Sequence, residues 1–174
     1  MESRRLTAAD AEAYRRVRLE GLREAPLAFV ADFEKNSARP LEDFAALLKD
    51  LPDNFVIGVF DDGELIGVGG LSCDEAPKLR HKGLIWGVYV VPGYRGRNVG
   101  RRIIEELIAS AVASAPHIEQ INIISTSVNA RARDLYLSLG FKTWGREPRS
   151  LRIGDQFYDD DHMVLLLTRD ASSR

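Results

Sequence analysis

Asp61-Asp62-Gly63 separates two apolar, β-branched runs at 55–60 and 65–72. An Asp-Gly pair in such a gap supplies the dihedrals that fold a chain back into an antiparallel hairpin. Further along, an apolar strand at 84–91 is closed by Pro92, which cannot donate to a ladder. A glycine- and arginine-bearing turn follows, then a helix at 99–113 and another strand at 118–126. A chain that carries both a tight hairpin and a crossover helix does not build a purely parallel doubly wound sheet. The expected class is a mixed α/β (α+β) fold.

The remaining elements follow the same signals. A short first strand ends at Leu6, and Thr7 with Asp10 starts a capped helix to Glu24, stopped by Pro26. Weaker helical spacing predicts helices at 27–38 and 41–51. Asn129 caps a helix to Leu139 that Gly140 terminates, and strands at 141–152 and 157–168 close the chain around Gly154-Asp155. The sheet therefore has about seven strands. With no repeat or linker, 174 residues form a single domain, 1–174.

Composition narrows the function classes. Lys+Arg 24 against Asp+Glu 26 gives net charge -2, so no global field recruits nucleic acid or an anionic membrane. The lone Cys73 excludes an intrachain disulfide framework and a Cys-based zinc cluster, so no metal is expected. The polar start Met1-Glu2-Ser3-Arg4-Arg5 is unlike a signal peptide, and no run approaches the roughly 20 apolar residues of a membrane helix. A cytoplasmic protein is expected.

The chemistry concentrates at residues 86–100. Backbone N–H groups at a helix start lack partners and the macrodipole is positive there, so a glycine-bearing turn can hold phosphate. Arg95, Arg97, Arg101 and Arg102 crowd that start without an acid in the first turn, against the dipole's preference. A bound polyanion accounts for both features; solvated arginines on a surface helix are the plainer alternative. The pattern is neither a P-loop nor a dinucleotide fingerprint.

This segment resembles the acyl-CoA-binding motif of the GNAT superfamily of N-acetyltransferases, [Gln/Arg]-x-x-Gly-x-[Gly/Ala], with Arg95, Asn98 and Gly100 at its defined positions. Asn98 stands where the family usually has glycine; asparagine tolerates left-handed backbone better than most residues. A second segment, Asn129 through Phe141, is similar to the family's Asn-x-x-Ala-x-x-Leu-Tyr-x-x-x-Gly-Phe at every named position. The order of strands and helices also fits the family over nearly the whole chain.

The resemblance implies an acetyl-CoA-dependent N-acetyltransferase in which the fourth and fifth strands (84–91 and 118–126) splay apart around the pantetheine arm. Val88, Tyr89 and Val90 would hold pantetheine and the thioester carbonyl. Arg95, Gly96, Arg97, Asn98, Val99 and Gly100 would hold the pyrophosphate, and Asn129 would touch the cofactor from the other wall. Tyr136 would be the acid that protonates the leaving thiolate; from a phenol of pKa near 10 to a thiol near 8.5 the transfer is uphill by roughly 2 kcal/mol.

The acceptor pocket is expected from residues 27–34 and about 149–161, with Phe29, Phe33, Glu34 and Tyr158 as contacts. Asp32, Glu34 and Asp159, Asp160, Asp161 would favour a cationic amine. The strand at 84–88 offers no carboxylate as base, leaving Glu34, His162 and Asp160, while His81 reads as a solvated loop charge. The expected acceptor is a small-molecule primary amine. A protein N-terminus or lysine and a non-catalytic acyl-CoA sensor are the alternatives. Family members are often homodimers, and the sequence leaves that open.

Overall fold

Asp10 anchors the start of the chain. Its carboxylate accepts the Thr7 N–H at 2.9 Å and takes both terminal nitrogens of Arg4, at 2.8 and 2.6 Å. The hydrogen-bonded Arg4 pair holds the carboxyl down from its ordinary 3.8 to about 2. A carboxyl depressed by folding stabilises the fold above its unfolded pKa, and that contribution disappears as pH falls through the folded value. Asp10→Asn will therefore flatten the acid limb of unfolding between 3.8 and about 2, read by circular dichroism against pH, without changing stability's slope near neutrality.

The structure, a computed structural model, describes residues 1–167; Thr168, expected to end the last strand, lies outside the described residues. The order is β1 (Glu2–Arg5), α1 (Ala11–Glu24), α2 (Phe33–Ser37), α3 (Leu41–Leu47), β2 (Asn54–Asp61), β3 (Glu64–Cys73), β4 (Lys82–Val90), α4 (Val99–Ser114), β5 (Gln120–Thr126), α5 (Ala130–Ser138), β6 (Lys142–Ile153) and β7 (Gln156–Leu166). The strands form one seven-stranded mixed sheet, β1-β2-β3-β4-β5-β7-β6, in which β4 and β5 run parallel and the other neighbours antiparallel. Helix α4 supplies the crossover that a parallel pair requires.

Apolar side chains cover both faces. Ile103, Ile104 and Leu107 of α4 meet Phe55, Ile57, Ile66, Ile85, Ile121 and Ile123 on one side. Tyr14 and Val17 of α1, with Phe44 of α3, meet Leu6, Val56, Leu65 and Val68 on the other. Gly70 of β3 makes room for a ring: a Cβ there would stand 2.4 Å from Trp86 of β4.

Two expected helices are shorter than their spacing implied. Residues 27–38 do not form one helix: a 3-10 turn (Pro26–Ala28) gives way to irregular chain that leaves Val30 88% exposed. Asp32 then caps a new helix by accepting the Lys35 N–H at 2.9 Å. A proline and an N-cap within one apolar stretch break it into two starts. The helix expected at 41–51 ends at Leu47, because the Leu48 N–H tightens onto the Ala45 carbonyl and Leu51 turns back to Asn54 across Pro52.

Candidate active site

Strands β4 and β5 part company halfway. Their ladder runs from Lys82 opposite Gln120 to Ile85 opposite Ile123, after which β4 continues to Val90 and β5 to Thr126 without pairing. On its other edge β4 steps out of register with β3, Trp86 facing Gly70 and Tyr89 facing Val68. Gly87 sits in that step at φ 67°, a left-handed value that glycine adopts without the Cβ clash. The gap opens a cleft of 430 Å³ whose walls include Trp86, Gly87, Val88, Tyr89 and Val90 on one side and Ser125, Thr126, Asn129, Ala132 and Tyr136 on the other.

One end of the cleft is the turn into α4. Asn98 caps that helix at φ 62°, ψ 13°, and Gly96 has φ 80°, so the left-handed kink survives with asparagine in place of glycine. Among the described residues, no acceptor is found for the backbone N–H of any residue from 96 to 101. That run of bare donors, on the positive end of a long helix, is an arrangement that can cradle an anion. Gly100 keeps it open: a Cβ there would already be 3.5 Å from Leu135 and 3.8 Å from Val90, so a larger side chain would fill the throat. Asn98→Gly will leave stability within about 1 kcal/mol, whereas Asn98→Val, β-branched at positive φ, will cost about 1–3 kcal/mol in chemical denaturation.

The arginines divide by partner. Arg95 lines the cleft with its guanidinium forked onto Glu24 at 2.9 and 2.5 Å, and its Nε donates to the Val90 carbonyl. The same pair holds the Glu24 carboxyl below its ordinary range. Arg101 donates to Glu105 and Ser138, and Arg102 to Ser3 and the Met1 carbonyl. Arg97 lies over the Tyr94 ring, 5.4 Å from its centroid, outside the cleft wall, and among the described residues it meets no acid. Arg131 of α5, which sequence reasoning passed over, lines the cleft, with Nη2 3.9 Å from where a Cβ of Gly96 would be. It occupies an undefined position of the second motif, so no pattern could single it out.

Helix α5 carries the opposite wall. The Asn129 side chain accepts the Ala132 N–H at 3.2 Å, which caps the helix, and Gly140 ends it at φ 92°. Tyr136 packs at 6.1 Å from the Phe141 ring and is 7% exposed. Its hydroxyl has no hydrogen-bond partner among the described residues, and burial pushes the phenol up to about 12. A neutral O–H on the wall of the cleft can donate a proton.

The expected acceptor residues do not line this cleft. Phe29 is buried beneath α1 and 6.3 Å from Tyr89. Phe33 carries the Arg23 guanidinium on its ring, Glu34 is exposed on α2, and Tyr158 donates to Gln156. Asp32 is spent as a cap. Nor are Asp159, Asp160 and Asp161 a solvated turn: they lie on β7, where the Asp159 carboxylate accepts the Arg149 N–H and Asp160 accepts the Ser150 hydroxyl. Asp161, 2% exposed, pairs with Arg146 at 2.7 Å. His162 pairs with Glu147 and stacks by Trp144 in a second hollow across β5 and β7. Tyr89 offers the cleft its backbone, since its ring packs under α1 and its hydroxyl reaches Glu20.

The chain is similar to several known proteins. The chain is 31% identical over 103 residues to the N-alpha-acetyltransferase RimI of Mycobacterium tuberculosis, a match covering 59% of this chain and 61% of RimI. Less than two thirds of that relative's length is therefore spanned. The structure is similar to that of a phosphinothricin acetyltransferase from Sinorhizobium meliloti in complex with acetyl-CoA, with a TM-score of 0.84, 17% identity, and 99% and 91% of the two chains covered. It is also similar to yncA of Salmonella typhimurium with its cofactor acetyl-CoA, at a TM-score of 0.80, 21% identity, and 100% and 98% coverage. The sequence profile of the Acetyltransferase (GNAT) family matches residues 19–141, and the chain belongs to that family.

Proposed function

We propose that this chain is an acetyl-CoA-dependent N-acetyltransferase acting on the primary amine of a small molecule. One observation carries the reading: a single cleft runs from bare N–H donors at residues 96–101 to the unpartnered hydroxyl of Tyr136. The cleft fits acetyl-CoA by its chemistry, with an anion cradle at one end and an unpaired strand edge beside it. When bound, acetyl-CoA supplies an acetyl thioester, whose carbonyl carbon gains a C–N bond as its C–S bond breaks.

This chain's residues would do the rest. The N–H groups of residues 96–101, with Arg131 above Gly96, would hold pyrophosphate. The unpaired edge of β4 at Val88 and Val90 would hold the pantetheine amides, and a backbone N–H there would meet the charge that develops on the acyl oxygen. Asn129 would border the arm from α5. Tyr136 would give its proton to the departing sulfur. With the phenol near 12, that transfer is uphill by about 5 kcal/mol against a thiol in water, but burial beside Tyr136 would raise the thiol too.

A small acceptor is favoured by the roof of the cleft. The Thr126 hydroxyl donates to the Leu27 carbonyl and ties the Pro26–Ala28 turn across the end of β5, where an extended peptide would need an open groove. The second reading, a protein N-terminus as acceptor, is favoured by the name of RimI. Thiol release from acetyl-CoA, followed across a panel of small amines and N-terminal peptides, separates the two. Turnover of peptides alone would replace the small-molecule reading. No release with any amine, despite acetyl-CoA binding, would make the chain a sensor.

A further inference from the structure

The register of the β2–β3 hairpin sets Asp53 opposite Cys73. Asn54 pairs with Ser72 at the end of the ladder, and one step beyond it the Cys73 N–H donates to the Asp53 carbonyl at 3.0 Å. A third segment closes on the same point. The Ser114 hydroxyl, at the end of α4, donates to the Pro52 carbonyl at 2.7 Å, and the chain leaving α4 then places His117 beside Asp53. The His117 Nε2 stands 3.3 Å from Asp53 Oδ2, yet it is buried and makes no hydrogen bond among the described residues. Buried polar atoms normally have a hydrogen-bond partner, so this nitrogen is an exception to be explained.

One carboxylate oxygen, the Cys73 sulfur and one imidazole nitrogen all lie within 4.8 Å of one another. Donors that share a tetrahedral ion, at bonds of about 2.0–2.3 Å, stand about 3.5 Å apart. Side-chain rotations close that difference, and Asp53 and His117 have the room, with side chains 23% and 36% exposed. Burial, and after it the Asp53 charge, push the Cys73 thiol up to about 11. A divalent cation beside a thiol inverts that balance and binds it as thiolate. The lone cysteine rules out a cluster of thiolates, but a mixed site needs only one.

We propose that Asp53, Cys73 and His117 form a zinc site with a water in its fourth position. A thiolate and an imidazole select zinc over the hard cations, which take oxygen ligands. On binding, the S–H bond breaks, its proton leaves to solvent, and a sulfur–zinc bond takes its place. None of the three residues lines the β4–β5 cleft. Cys73 pairs with Gly83 near the start of β4, whereas the cleft follows that strand to its end at Val90. The ion therefore clamps β2, β3 and the α4–β5 connection together and takes no part in acyl transfer. Cys73 also lines the second hollow, which gives an ion its path from solvent. Arg80 is the competitor: its Nη2 donates to the same Asp53 oxygen at 3.2 Å, on a side chain 54% exposed.

The test strips the full chain with a chelator, then titrates it with Zn²⁺ by calorimetry and with Co²⁺ by absorbance. One equivalent should bind, Co²⁺ should show a sulfur-to-metal charge-transfer band, and Tm should rise as Zn²⁺ saturates. Cys73→Ser should abolish the band. Cys73→Ser and His117→Ala should each weaken Zn²⁺ binding by more than the roughly 10- to 100-fold that loss of an outer-shell group costs. Arg80→Gln, which removes the competing cation, should bind Zn²⁺ up to about 5-fold more tightly. Circular dichroism of the metal-free variants shows that each is folded, and His117→Ala, at a partly exposed side chain, carries the test should Cys73→Ser not fold. No Zn²⁺ binding, or binding that either variant leaves intact, would overturn the site. Binding that leaves Tm unmoved would overturn the clamp.

Discussion

Tyr136→Phe will lower kcat by about 10²–10⁴-fold, the range expected when a positioned proton donor is removed. Acetyl-CoA affinity, measured by calorimetry, will stay within about 3-fold, because the ring still packs on Phe141 and only the hydroxyl is gone. Stability will hold or rise slightly, since the lost O–H has no partner to leave behind. The pH profile adds a separate check. A phenol near 12 keeps its proton through the neutral range, so its deprotonation contributes no falling limb below about pH 10 in the wild-type protein. An unchanged kcat in the variant would remove Tyr136 from the chemistry.

Gly70→Ala will produce the other large effect, this time through packing. The new methyl would stand 2.4 Å from two atoms of the Trp86 ring and 2.8 Å from a third. A rigid indole cannot swing aside as a lysine would, so strand β3 or the ring itself must move. Overpacking of this kind costs about 1–3 kcal/mol, which for a chain of this length lowers Tm by about 2–12 °C. Trp86 also lines the cleft, so kcat/KM for the acceptor should fall further than stability alone explains. The protein has 2 tryptophans, the other being the 66%-exposed Trp144, so a Trp144→Phe background isolates the Trp86 emission. An unshifted Trp86 spectrum with wild-type Tm would show that the strand absorbs the methyl.

The parts legible in the sequence were those whose cause is local. Asp62 and Gly63 turn the β2–β3 hairpin, both at positive φ. Pro92 ends the ladder of β4, and Asn129 with Gly140 bracket α5. The left-handed turn into α4 was legible for the same reason: Gly96, Asn98 and the start of α4 are neighbours in the chain. What stayed hidden was partnership at a distance. Nothing local in the sequence shows that Arg95 pairs with Glu24, 71 residues away. Asp160 and Asp161 look like one acidic patch, yet strand alternation sends adjacent side chains to opposite faces. Arg18 is one of many arginines, and only the fold shows that, among the described residues, no acid pairs with it.

The bond between Arg95 and Glu24 has a thermodynamic reading. Glu24 is the last residue of α1 and leads directly into the Pro26–Ala28 turn that roofs the acceptor side, while Arg95 opens the turn that forms the anion cradle. One ion pair therefore joins the walls of both ligand sites. On the proposed reading, if a ligand in the cradle changes acceptor affinity through that pair, the acceptor changes the ligand's affinity by the same factor. Arg95–Glu24 is therefore the place to look for cooperativity between the two substrates, read as a reciprocal change in affinity in an Arg95→Gln variant.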